Sequence, residues 1–245
     1  MTGPGKAQGM FVAPATGGAM FQVFCRIFFV SYCRLTVEGR EHLPPSPFIL
    51  CSNHTSHIDS AVLMAASGLP FSTFAMLGAS DYFFDSRRVK FVVSRFMNVI
   101  PIDRHARHNS LRQSLSMCDE FLWRTRGNLI LYPEGTRSAR GEMQTFKKGA
   151  GLFAVELGVP VVPAYIEGAP RILAKGNFLP RPGSVTVRFG EPIRFLSNSS
   201  DPQVGRGRRR AAVELLEQRI RGLIQRPSAG DCGQLMPGPA RFHER

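Results

Sequence analysis

Six short apolar runs, each separated from the next by turn residues and helical periodicity, constrain this chain most. They are FILC (48–51), STFAML (72–77), NVIPI (98–102), NLILY (128–132), PVVPAYI (160–166) and SVTVRF (184–189). Each has the length of a buried strand. Helical segments lie between them. The clearest is 110–126, where Asn109 or Ser110 can cap, Leu111, Leu115, Cys118 and Leu122 share one face, and Gly127 stops the helix. A second is 149–158, with Gly158 at its C-terminus. Strands alternating with helices predict an α/β fold: a largely parallel central sheet flanked by helices. Ligands of such folds collect at the carboxyl ends of strands. The polar motifs of this chain sit there, directly after apolar runs.

The flanks read differently. Residues 1–18 are rich in Gly, Pro and Ala and are expected to be disordered. Residues 19–34 read as an N-terminal amphipathic helix, with Phe21, Phe24, Phe28 and Tyr32 at three- and four-residue steps and Cys25 and Phe29 widening that face. The stripe either packs on the core or lies in a membrane interface. PPSP at 44–47 closes this segment, so 19–46 is taken as one membrane-associating helical unit and 47–226 as the main domain. Residues 202–226 combine seven Arg with an apolar face of Val213, Leu216, Ile220 and Leu223, and 227–245 read as a disordered tail.

Charge narrows the choice of partner. The 31 Lys and Arg against 18 Asp and Glu give +13. Such a surface suits nucleic acid, anionic lipid or a phosphorylated substrate. No nucleic-acid motif is present, and the aromatics lie on apolar faces rather than among the basic residues, so no nucleic-acid partner is expected. The five cysteines show no C-x-x-C pair, which argues against a disulfide framework and points to the reducing cytoplasm. No run reads as a spanning helix or as a secretory signal.

The densest chemistry is SNHTSHIDS, residues 52–60. His54, His57 and Asp59 could in principle hold a metal, but no further ligand cluster completes a site. His54 with Asp59 is the stronger pairing. In one continuous helix their side chains would stand about 140° apart. They meet if His54 lies on the turn after a strand and Asp59 on the first turn of the next helix, capped by Thr55 or Ser56. Asp59 would then take the Nδ1 proton and leave Nε2 as a base. This is a triad without its serine, which suits a substrate that brings its own hydroxyl or amine. Ser56 lacks the strained elbow of an enzymic nucleophile.

Two further segments bear on the substrate. YPEGTRS (132–138) follows a strand, with Gly135 for a tight turn, Arg137 as a planar fork for phosphate, Thr136 and Ser138 as donors, and Glu134 either holding that Arg or accepting from a substrate hydroxyl. Lys147 and Lys148 follow near a helix start, another place that suits anions. NVIPIDR (98–104) brings Asp103 and Arg104 to a strand's carboxyl end.

In this order, and followed by GVPVVPAYIEG at 158–168, the three segments resemble the glycerolipid acyltransferase family, whose typical member acylates lysophosphatidate (1-acylglycerol-3-phosphate). The likeness spans about residues 48–195. It implies an acyltransferase domain over 47–226. His54 would be the general base and Asp59 its orienting carboxylate, with no acyl-enzyme and backbone amides around Gly135 near the oxyanion. Arg104, Glu134, Gly135, Thr136 and Arg137 would face the phosphorylated acceptor. It further implies no metal and no cofactor, with acyl-CoA or acyl-carrier protein as co-substrate, a lysophospholipid acceptor, and a peripheral place on the cytoplasmic face of an anionic membrane surface. Asn98 departs from the family's Gly, and its tolerance of left-handed backbone is expected to preserve the turn. His57 falls at a variable position and receives no role. Another lysophospholipid or an aminolipid as acceptor, a thioester hydrolase, and a non-catalytic basic binding module are the competing readings.

Overall fold

The structure is a computed structural model that describes residues 15–79, 97–102, 108–138, 141–174, 177, 179–196 and 202–224. Seven strands form one sheet in the order β1-β7-β6-β2-β5-β3-β4. They are β1 (Leu35–Glu38), β2 (Ile49–Ser52), β3 (Phe74–Ala79), β4 (Asn98–Ile102), β5 (Asn128–Leu131), β6 (Val161–Glu167) and β7 (Val185–Phe189). All neighbours run parallel except β6 and β7, which are antiparallel. The predicted α/β class and the six predicted strands are therefore present, with ends moved by one or two residues.

The central strands are apolar because both faces are covered, as parallel sheets require. In β2, Leu50 faces one core with Phe48, Ile130 and Val162, beneath α1 (Ala15–Ser31) and α2 (Asp59–Ser67). Ile49 and Cys51 point the other way, into a second core with Leu129, Leu131 and Val161. That core is covered by α3 (His108–Arg124), α4 (Lys148–Glu156) and α6 (Pro202–Ile224), while α5 (Ala169–Ile172) is a single turn after β6. The strand period of two thus sorts one sequence into two cores.

Several expectations change. The strand β1 was not anticipated; it pairs with β7, so the end of the supposed 19–46 unit belongs to the sheet of the main domain. Its four residues, LTVE, alternate too briefly to register as a strand. The helix α1 begins at Ala15, inside the stretch expected to be disordered, and ends at Ser31. Its aromatic stripe is split. Cys25, Phe29 and Cys33 are buried, with Phe21 and Phe28 packed beside them, whereas Phe24 and Tyr32 are exposed. Met20, Val23, Phe24, Ile27 and Val30 form a second, exposed apolar face on the opposite side. A helix apolar nearly all round cannot satisfy both faces with one core. The helix α3 starts at His108, so neither Asn109 nor Ser110 caps it, and the left-handed residue after it is Arg126 rather than Gly127. Asn98 lies in extended β4, not in a left-handed turn; its side-chain amide donates to Ser72 O and Phe74 O and ties β4 to the start of β3. Residues 1–14 and the 227–245 tail lie outside the described residues.

Candidate active site

Strands β2 and β5 are parallel neighbours in register, with Cys51 opposite Leu131. The loops that leave their carboxyl ends must therefore lie side by side. These are the loops 52–58 and 132–138, about eighty residues apart in sequence.

His54 sits on the turn after β2, and Asp59 is the first residue of α2, as the helix arithmetic required. Asp59 Oδ2 accepts from His54 Nδ1 at 2.9 Å and also from the backbone N–H groups of Thr55 (2.6 Å) and Ser56 (2.8 Å). Neither Thr55 nor Ser56 caps α2 through its side chain; the carboxylate reaches back to their amides instead. This inverted cap fixes the Asp59 carboxylate, which is wholly buried, before the imidazole meets it. With Nδ1–H directed at a carboxylate, Nε2 is the nitrogen left for a substrate.

Tyr132 fixes the ring from its face. Its ring stacks on His54 at 3.9 Å between centroids, tilted by 12°, and its hydroxyl shares a 2.7 Å hydrogen bond with Ser60. Burial, with Asp59 nearby, pushes the phenol well above its ordinary pKa, so it stays neutral. Asn53 clamps the same turn to β6, donating to Ile166 O at 2.9 Å and accepting from Ile166 N–H at 2.8 Å. Neither role was read from the sequence. Tyr132 looked like the last residue of a strand and Asn53 like a loop residue; the only signal was a polar residue beside an apolar run.

Glu134 is not where a substrate ligand would be. It is 1% exposed, and its two oxygens accept from the N–H of His54 (2.9 Å) and of Gln144 (3.1 Å). Closed off from solvent, it holds the backbone of His54. Burial drives its pKa up to about 7 despite those two hydrogen bonds. Gly135 has φ +67 and its N–H bonds to Tyr132 O at 3.1 Å, so that amide is engaged in the turn rather than aimed at an oxyanion. The Lys147 side chain lies over Gly135, 3.0 Å from where a Cβ would stand. Ser138 N–H donates to His54 O at 2.9 Å. Thr136 and Arg137 are half-exposed on the rim of this loop, and Arg137 meets the ring of His57. Arg104 lies outside the described residues.

Three serines of residues 52–60 have their hydroxyls engaged. Ser52 Oγ donates to the Asn53 side chain, Ser56 Oγ to Leu173 O, and Ser60 Oγ pairs with Tyr132. The Cys51 thiol is raised far above its ordinary pKa by burial and then by Glu134. Among the described residues no group of three His, Cys, Asp or Glu side chains could hold a metal ion.

These features match known proteins. The sequence model described as Acyltransferase matches residues 34–167, more than half of the chain. The chain is 30% identical over 181 residues to the chloroplastic 1-acyl-sn-glycerol-3-phosphate acyltransferase BAT2 of Brassica napus, covering 70% of this chain and 48% of that protein. It is 28% identical over 174 residues to the human 1-acyl-sn-glycerol-3-phosphate acyltransferase alpha, covering 65% and 55%. The chain thus spans about half the length of the curated relatives it matches. Among solved structures, the 1-acyl-sn-glycerophosphate acyltransferase PlsC of Thermotoga maritima superposes with a TM-score of 0.61 at 27% identity, covering 86% of this chain and 80% of that one. With its sheet order, its paired loops and this match over residues 34–167, the chain belongs to the acyltransferase family.

Proposed function

We propose that the protein transfers a fatty acyl group from an acyl thioester to the free hydroxyl of a lysophospholipid, foremost 1-acylglycerol-3-phosphate, yielding phosphatidate. His54 Nε2 takes the hydroxyl proton as the oxygen attacks the thioester carbonyl. The tetrahedral intermediate then collapses, and the leaving thiolate takes that proton back from the imidazolium. Asp59 keeps the imidazole in the required tautomer and stabilises its charged form. The products are an ester and a free thiol, with no covalent enzyme intermediate. Arg137 on the rim of the loop, with Lys147 over Gly135, suits the acceptor's phosphate. CoA or acyl-carrier protein carries the acyl group, and the reaction uses no cofactor.

The observation that carries this reading is the His54–Asp59 bond of 2.9 Å in a site where Ser52, Ser56 and Ser60 are engaged elsewhere. The likeness to 1-acyl-sn-glycerol-3-phosphate acyltransferases favours that acceptor. The exposed apolar face of α1 and the +13 charge favour docking on an anionic membrane, with the protein peripheral on the cytoplasmic face. No helix among the described residues is long and apolar enough to cross a membrane.

The test is thiol release by the purified full chain, given acyl-CoA or acyl-carrier protein and a panel of lysolipids. Release is expected only with an acceptor, fastest with lysophosphatidate, and absent in His54→Ala. Equal release without any acceptor would establish a hydrolase instead. Full activity in His54→Ala would remove the base assigned here.

A further inference from the structure

His57 stands in the turn between β2 and α2, two residues before the catalytic carboxylate, and has no part in the chemistry above. Its Nε2 meets Nη1 of Arg137, on the loop after β5. A guanidinium can only donate, so the imidazole must be the acceptor and its Nε2 must carry a lone pair. Among the described residues, the charged and titratable groups that act on the ring are Arg137, His54 and Asp59. The residue is exposed as a whole, but partial cover of the ring, then the positive charge of Arg137, then His54 hold its pKa below the ordinary 6.5, against the opposing pull of Asp59. The ring is thus neutral at pH 7, the form that can accept.

We propose that His57 is a positioning residue that holds the Arg137 guanidinium by accepting one of its N–H groups, and so makes affinity for the acceptor's phosphate depend on the protonation of His57. This rests on the reading of Arg137 as a phosphate ligand. Arginine has five N–H donors, more than His57 alone can take up. A long side chain already held in place loses less freedom when a ligand arrives. Protonation of His57 removes the lone pair and sets a second positive charge against the guanidinium, which weakens its hold.

The experiment compares wild type with His57→Phe, which keeps a ring without an acceptor, and His57→Gln, whose side-chain oxygen can stand near the place of Nε2. Initial rates are measured against lysophosphatidate and against acyl-CoA from about pH 5.5 to 8. His57→Phe is expected to raise the acceptor KM roughly tenfold, the size of one hydrogen bond to a charged group, while kcat and the acyl-CoA KM stay within about twofold. His57→Gln should keep the acceptor KM at pH 7.5 and lose the rise that wild type shows in acid. An unchanged acceptor KM in His57→Phe, equal losses in Phe and Gln, or a wild-type acid limb in Gln each overturns the proposal.

Two readouts need no turnover. Imidazole ¹⁵N titration should show the His57 pKa rising in Arg137→Ala, because a neighbouring positive charge is gone. Calorimetric binding of glycerol 3-phosphate should weaken in His57→Phe and persist in His57→Gln. If no lysolipid is acylated yet both shifts occur, the acylation reading fails and the His57 assignment stands. If neither occurs, the His57 assignment fails whatever the enzyme acylates.

Discussion

Asp59→Asn separates geometry from charge in the proposed catalytic pair. Asp59 Oδ2 carries all three hydrogen bonds, from His54 Nδ1, Thr55 N and Ser56 N, while Oδ1 is buried without a hydrogen-bond partner among the described residues. Asparagine can therefore place its oxygen at Oδ2 and keep every bond. Its NH₂ then falls at the Oδ1 position, where a buried unpaired donor costs about 1–3 kcal/mol of stability. For a chain of this size that lowers Tm by about 3–10 °C, so assays at 25 °C read folded protein. What is lost in the reaction is the carboxylate charge facing the imidazolium, 2.9 Å from Nδ1. Unit charges about 3 Å apart at an effective dielectric of about 20 attract by about 5 kcal/mol. His54 is 21% exposed, and solvent screening with charge delocalisation trims this to about 4 kcal/mol. The expected outcome is a loss of about a thousandfold in kcat, with both KM values nearly unchanged. The assay is chromogenic thiol release at saturating lysophosphatidate, with a thermal melt run beside it. A variant within tenfold of wild-type kcat would refute the reasoning, because it would show that no positive charge develops on His54 in the rate-limiting step.

Two more predictions rest on single side chains. Glu134→Gln keeps only one acceptor for the His54 and Gln144 amides and is expected to lower kcat about tenfold, since a misplaced base loses orientation. Its pH behaviour has a definite sign: the Glu134 pKa is raised from 4.5 to about 7 on folding, so its contribution to stability is full below 4.5 and lost as pH rises through about 7. Melting curves at pH 5 and pH 8 should differ less in Glu134→Gln than in wild type, and an unchanged difference would show that Glu134 does not titrate there. At the membrane, Phe24→Asp with Ile27→Asp should abolish sedimentation with anionic vesicles, since each lost apolar side chain is worth up to about 2 kcal/mol and both now face solvent. Wild-type sedimentation of that double variant would take α1 out of the membrane account. Deleting residues 1–36 is the poorer test, because it also removes buried Cys25, Phe29 and Cys33 and the first half of β1.

The parts legible in the sequence were those written in local patterns. The central strands announce themselves because both of their faces are buried. His54 and Asp59 could be paired because a regular helix forbids their contact and a turn-to-helix junction allows it. What could not be read was direction. EGTR placed Glu134 beside Arg137 in sequence, but only the register of β5 against β2 turns its carboxylate inward to the His54 amide. The Tyr132 stack on His54 joins residues 78 positions apart and leaves no local trace. The sequence showed one aromatic stripe on α1, and packing against α2 splits it between core and solvent. His57 seemed idle because its partner, Arg137, lies eighty residues away.

The peptide of His54 is gripped at both of its polar ends by the other loop: its N–H by the Glu134 carboxylate, its C=O by the Ser138 N–H. Those contacts span about eighty residues, so they close only when β2 and β5 have docked. A chain in which these two strands have not docked lacks both grips on the His54 peptide. The same grip undermines a habit of mutational scanning, which assigns one loop to chemistry and the other to recognition. A lesion anywhere in 132–138 that shifts the backbone displaces the imidazole as well. Such variants will register as slow catalysts even when their affinity for the acceptor is what was altered first.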